Sequence, residues 1–227
     1  MSALQLPLGI GFHNTVDFDG YVAGNNAEAV SSLRSANDPF IYLWGEAAVG
    51  KSHLLQAACR AQQEQGDSSA YIPLQEISSF APEMLDGMEL LELVCIDDLD
   101  RLAGDTGWEM ALFNLFNRLR ENSGRLLVSA SVSPAYLPIE LPDLASRLTW
   151  GPCYHLTPPD DASRLQLLIL GAAKRGLDLK PEIAQFLLQR IPRDTRSILQ
   201  RLEQLDQASL AAQRRLTIPF VREILKL

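Results

Sequence analysis

Cysteine is scarce in this chain: Cys59, Cys95 and Cys153 lie far apart, are odd in number and never form a C-x-x-C pair. That argues against both a disulfide framework and a thiolate zinc site. They read as buried thiols, because free cysteine behaves as a small hydrophobe. Histidine is no better supplied, since His13, His53 and His155 stand singly and suggest no metal site. No apolar run approaches the ~20 residues that would cross a bilayer, so no transmembrane helix is expected. The first ten residues hold no Lys or Arg and only a short apolar patch. This fails the secretory pattern, and a cytoplasmic protein is expected. Basic excess is missing too, with 20 Lys and Arg against 28 Asp and Glu and a net charge of -8. A surface that grips duplex DNA by its phosphates is basic, so this balance favours a protein partner over naked nucleic acid. Local basic clusters, such as Arg190, Arg193, Arg196 and Arg201, stand against that background.

What is present is ordinary globular composition, 47% hydrophobic and 21% charged over 227 residues. That suffices for one core of good size, or one domain with a smaller helical partner. Residues 27–35 predict a short helix ending before Pro39. The continuous apolar run Phe40-Ile41-Tyr42-Leu43-Trp44 predicts a strand buried on both faces, as in parallel sheets. Further strands are expected at 70–74, 93–96, 126–129 and 153–156, separated by helical patterns at 53–65, 108–121 and 144–148. Such alternation indicates an α/β fold, a parallel five-stranded sheet between helices. After Thr157-Pro158-Pro159 no strand is convincing. Residues 161–175, 181–190, 194–212 and 218–225 read as helices, with Asp161 and Asp194 near N-cap positions and Pro181 and Pro219 in first turns. Leu199, Leu202, Leu205 and Leu210 are expected to form a core stripe. The domain reading is a tail at 1–12, an α/β domain at 13–157 and a small all-helical lid at 158–227.

Gly45-Glu46-Ala47-Ala48-Val49-Gly50-Lys51-Ser52 matches G-x-x-x-x-G-K-[ST], a match that average composition yields by chance in about one chain in a hundred of this length. It follows a predicted buried strand and opens a predicted helix, as its mechanism requires. Gly45 and Gly50 let backbone N–H groups turn around a phosphate, Lys51 neutralises its charge, and the Ser52 hydroxyl is placed for Mg2+. Ala48, Val49 and His53 complete the candidate nucleotide contacts. A second apolar strand ends in acid, Leu93-Val94-Cys95-Ile96-Asp97-Asp98. Asp97 suits the magnesium shell, and Asp98 could orient an attacking water, although Asp is short for a role often held by Glu. On composition alone, Arg147 and Arg196 read first as surface ion-pair partners.

The series of phosphate loop, Ile96-Asp97-Asp98, Leu144-Ala145-Ser146-Arg147-Leu148-Thr149-Trp150-Gly151 and helical lid resembles the AAA+ module of the bacterial replication initiator DnaA. Residues 15–25 are similar to that family's N-terminal linker, which implies that Tyr21 and Val22 flank an adenine. The resemblance implies that Arg147 is an arginine finger reaching a neighbouring subunit's nucleotide. It also implies that Arg196 is the lid's sensor for the chain's own ADP or ATP. DnaA continues into a helix-turn-helix domain, whereas this sequence ends at Leu227, so origin binding by base readout is not expected. Ser129-Ala130-Ser131 stands where DnaA carries an acidic residue, which weakens the case for efficient self-hydrolysis.

Gln5-Leu6-Pro7-Leu8-Gly9-Ile10 resembles the short peptide by which proteins dock into the bacterial sliding clamp. Gln5 would bond at the pocket rim while Leu6, Leu8 and Ile10 enter apolar subsites. Together these features resemble DnaA-related regulators of replication initiation over essentially the whole chain. The implied partners are DnaA and the DNA polymerase III sliding clamp, with DNA met only through the clamp, no membrane, and self-association left open. The implied function is negative regulation of initiation by stimulating hydrolysis of DnaA-bound ATP, with weak intrinsic ATPase activity. Two alternatives stand beside it: a self-sufficient AAA+ ATPase or helicase loader, and a nucleotide-stabilised adapter.

Overall fold

A run of five apolar residues cannot be half solvated, and in the computed structural model, which describes residues 16–75 and 80–227, it is enclosed from both sides. Phe40–Trp44 forms β1, hydrogen-bonded to β4 (Arg125–Ala130) and β5 (Cys153–His155). Beyond β4 lie β3 (Leu93–Asp97) and β2 (Ser69–Pro73). The sheet is fully parallel in the order β2-β3-β4-β1-β5. Side chains of period two divide between its faces. Ile41, Leu43, Cys95 and Leu127 pack under α1 (Ala27–Ser35) and α2 (Lys51–Glu64). Phe40, Tyr42, Val94 and Val128 pack under α3 (Thr106–Glu121), joined by Leu144 of the short α4 (Pro142–Arg147). At ~25 cal/mol per Å² of buried apolar surface, these two layers supply the main driving force for this part of the fold.

Residues 161–225 build a third cluster from α5 (Asp161–Lys174), α6 (Pro181–Leu188), α7 (Thr195–Ala212) and α8 (Ile218–Leu225). Val22 packs against this cluster from the N-terminal segment. Pro181 and Pro219 occupy first turns, where a missing N–H costs nothing.

Three expectations need correction. Asp160, not Asp161, caps α5: its Oδ1 accepts from Ser163 N at 2.7 Å, and Asp161 is already inside the helix. Leu210 leaves the core stripe and is 80% exposed, because at about 100° per residue it stands about 140° around α7 from Leu205, off the face that Ile198, Leu202 and Leu205 bury. Cys153 is exposed rather than buried, since β5 is an edge strand paired only to β1. No helix among the described residues is long and apolar enough to cross a membrane.

Candidate functional site

The chain leaves the sheet at Trp44, turns through residues 45–50 and starts α2 at Lys51. The first-turn N–H groups of α2 therefore face the turn without intrahelical partners, as an anion site needs. Gly50 sits at φ 97, and a Cβ there would lie 2.5 Å from Tyr21 Cε2. Only glycine fits, both for its backbone and for its space. Lys51, 8% exposed, donates from Nζ to the carbonyls of Gly45 at 2.7 Å and Glu46 at 3.0 Å, which holds the ammonium inside the loop.

The N-terminal segment clasps this loop. Tyr21 donates its hydroxyl to Val49 O at 3.1 Å and accepts from Asn26 Nδ2 at 2.9 Å. Asn26, 7% exposed, also ties down Thr157: its Nδ2 donates to Thr157 O at 3.0 Å and its Oδ1 accepts from Thr157 N at 2.9 Å. His53 Nε2 donates to Asp17 O at 2.8 Å, which requires the proton on that nitrogen. Burial pulls the His53 pKa below the ordinary histidine value; the Asp17 carbonyl opposes the shift and the Lys174 charge adds to it. Asp17 in turn meets Lys174 of α5 at 2.6 Å. Burial would raise the Asp17 pKa, yet the hydrogen bonds from Lys174 and Gly20, with the Lys174 charge, carry it below the usual carboxylate value.

Asp97 ends β3 and is 2% exposed. Its carboxylate accepts from Tyr71 Oη at 2.6 Å and from Ser129 Oγ. Burial first, and then the Asp97 charge, push the Tyr71 hydroxyl pKa well up, so it remains a donor. Ser52 lies close enough to oppose that rise, which places Ser52 and Asp97 near one hydroxyl. A carboxylate and a hydroxyl, both hard oxygens, fit Mg2+, which takes most of its shell from water and phosphate. Among the described residues no group of three or more His, Cys, Asp or Glu comes together as an all-protein metal cage. Asp98 adopts φ 60 and opens into the cleft; its Oδ2 accepts from Gln75 Nε2 at 2.6 Å, and its N–H donates to Ser129 Oγ at 3.1 Å.

Between this floor and the lid lies a cleft of about 880 Å³, within the range of small-molecule sites. Val16, Tyr21, Val22, Leu167, Leu170 and Leu199 give it an apolar wall. Lys51, Lys174, Arg175 and Arg196 line it against the acids Asp98 and Glu203, a local positive excess in a chain of net charge -8. Such a field favours a polyanion.

Of the residues singled out from sequence, Tyr21, Val22, Ala48, Val49, Gly50, Lys51, Ser52, His53, Asp98 and Arg196 line this one cleft. Gly45 takes part through its carbonyl, and Asp97 lies behind Ser52 and Tyr71. Arg147 is elsewhere, at the end of α4, with its guanidinium carbon 3.7 Å from the Trp150 ring centroid. Gln5, Leu6, Leu8 and Ile10 lie outside the described residues. Sequence reasoning missed Asn26, Gln75, Lys174 and Arg175. The adjacent bases at the end of α5 were a usable signal for the last two, whereas no spacing marks Asn26 or Gln75.

The sequence matches the family of bacterial DnaA ATPase domains over residues 12–154, and the family described as Hda, lid domain, over residues 161–225. Among solved structures it is similar to domain III of the Thermotoga maritima replication initiation protein DnaA. That match has TM-score 0.80 and 20% identity, covering 95% of this chain and 98% of that one. It is also similar to AMPPCP-bound DnaA from Aquifex aeolicus, with TM-score 0.71 and 20% identity over 86% of this chain and 66% of that one. The Thermotoga maritima RuvB Holliday junction branch migration motor matches with TM-score 0.67 and 15% identity, over 89% and 68% of the two chains. At these identities the structural likenesses establish the fold, the AAA+ arrangement of a parallel five-stranded sheet followed by helices.

Proposed function

The chain belongs to the family of bacterial DnaA ATPase domains, and on that basis we propose that it regulates replication initiation by binding ADP or ATP and promoting hydrolysis of ATP held by DnaA. The observation that carries the reading is the separation of two arginines. Arg196 lines the chain's own cleft, whereas Arg147 lies outside it, over an exposed indole. A cation that does not serve its own nucleotide is available to a neighbour's. Fingers supplied in trans accelerate hydrolysis by about 10³ to 10⁵ in GTPases. In the chain's own cleft, Lys51 and the loop amides bind phosphates from below while Arg196 meets them from the lid. Bound nucleotide thereby fixes the angle between residues 13–157 and 158–227, the two domains of this reading. Ser52 and Asp97 would hold Mg2+, which supplies charge neutralisation at the phosphates. Through Gln5, Leu6, Leu8 and Ile10, residues 1–12 would dock on the sliding clamp. DNA is then met only through the clamp, and the initiator is left in an ADP form that cannot start a second round.

The test is a reconstituted assay of DnaA-bound ATP hydrolysis, with clamp and DNA present or omitted. Stimulation should require DNA-loaded clamp, and Arg147→Ala should abolish it while the variant still binds nucleotide. Full stimulation by that variant removes Arg147 from the mechanism. A Gln5→Ala, Leu6→Ala double variant should lose clamp affinity; unchanged affinity refutes the docking. The rival reading, a self-sufficient ATPase or helicase loader, draws support from Asp98, which opens into the cleft. Steady-state turnover by the purified protein alone, without clamp or DnaA, would favour it.

A further inference from the structure

Trp150 is 55% exposed, an unusual place for the largest side chain unless its face is in use. We propose that Trp150 is the positioning residue of the Arg147 finger: its indole holds the guanidinium flat and oriented before a partner's terminal phosphate arrives. The proposal rests on the finger reading and adds the residue that makes the finger rigid.

At 3.7 Å from the ring centroid, the Arg147 Cζ is in van der Waals contact with the indole, the geometry of a stacked cation–π pair. Stacking occupies the face of the guanidinium and leaves its N–H donors, which lie in the plane, free for an anion. Arg147 makes no side-chain hydrogen bond or ion pair among the described residues, so the indole is its defined neighbour. The backbone that carries the indole is itself anchored. Trp150 N donates to Arg147 O at 3.1 Å, and Thr149 Oγ1 to Ser146 O at 2.7 Å, which folds the end of α4 back on itself. The next residue, Gly151, is pressed so closely on β1 that a Cβ would lie 2.4 Å from Phe40 O. Beneath the turn Leu144 and Leu148 are buried at 0% and 1%. A second guanidinium, that of Arg120 on α3, lies 5.2 Å from the same ring and adds positive charge to this face. An untethered arginine must lose side-chain rotamer freedom on meeting a phosphate, whereas one already stacked has lost it.

The experiment measures stimulation of DnaA-bound ATP hydrolysis, with clamp and DNA, as a function of the concentration of parent, Arg147→Ala, Trp150→Ala and Trp150→Phe. Thermal unfolding of each variant establishes that it is folded. Trp150→Ala should lower the stimulated rate at saturation about three- to tenfold, the range set by cation–π energies. The half-saturating concentration should change by less than about twofold, because a preorganised donor acts on the transition state. Trp150→Phe keeps a ring face and should restore most of the rate. A saturating rate for Trp150→Ala equal to the parent's, while Arg147→Ala is inactive, overturns the positioning role and leaves the finger intact. An equal loss in the Ala and Phe variants overturns it as well. Full activity of Arg147→Ala overturns the finger reading itself, and the two failures are thereby distinct.

Discussion

Asp97 and Asp98 differ by one position in sequence, yet one carboxylate is locked behind Tyr71 and Ser129 and the other opens into the cleft. The chain breaks out of β3 between them, with Asp98 in the left-handed region at φ 60, and their chemistry follows from that break. His53 shows the same dependence on surroundings. Its folded-state pKa lies below 6.5, chiefly through burial, so the unfolded chain binds more protons between the two values. Its contribution to stability is thus complete above about pH 6.5 and is lost as pH falls through that window. The unfolding midpoint of the parent should decline from pH 7.5 to 5.5, and His53→Gln should flatten that decline. An identical pH profile in the variant would show that His53 does not carry the effect. At this scale the phosphate loop was legible in the sequence, because its chemistry needs fixed residue types at fixed spacing. Contacts such as Asn26 with Thr157, 131 residues apart, were not, because chain closure rather than local pattern creates them.

Among the elements, α3 shows how a helix can organise a neighbour's geometry. Glu109, fully buried, accepts from the backbone N–H groups of Gly104 at 2.8 Å, Glu140 at 3.0 Å and Leu141 at 2.7 Å, and so fixes the entrance to α4. Glu109→Gln presents an amide to those donors. It should cost about 1.5–3 kcal/mol, since hydrogen bonds to charged groups are the stronger class. For a chain of this size that is a fall of about 3–12 °C in unfolding midpoint by calorimetry. A midpoint within about 1 °C of the parent would show that the clamp on α4 is not structural. The strands and α-helices were readable, since period two and period 3.6 differ sharply in apolar runs, whereas short 3-10 turns such as Pro82–Leu85 and Leu99–Arg101 carry no such period. Ends and faces were harder. Adjacent aspartates 160 and 161 are equivalent cap candidates until the backbone chooses, and the five-residue step from Leu205 to Leu210 carries the second leucine off the buried face.

The described residues form two packed bodies, a layered sheet and a helical cluster, with a cationic cleft between them and Arg147 outside its lining. The segment at residues 16–26 bridges both: Tyr21 and Asn26 grip the loop side, and Asp17 meets Lys174 on α5. A ligand touching Lys51 and Arg196 together would complete that bridge, so occupancy should raise the unfolding midpoint with ligand concentration. Calorimetric titration of ADP into the parent and Lys51→Ala is the most direct test. The parent should bind at one site, and the variant about 10- to 150-fold more weakly, as expected for losing charge-assisted bonds of about 1.5–3 kcal/mol. Absence of any binding heat and of any midpoint shift with ADP or ATP in the folded parent would contradict the assignment of the cleft.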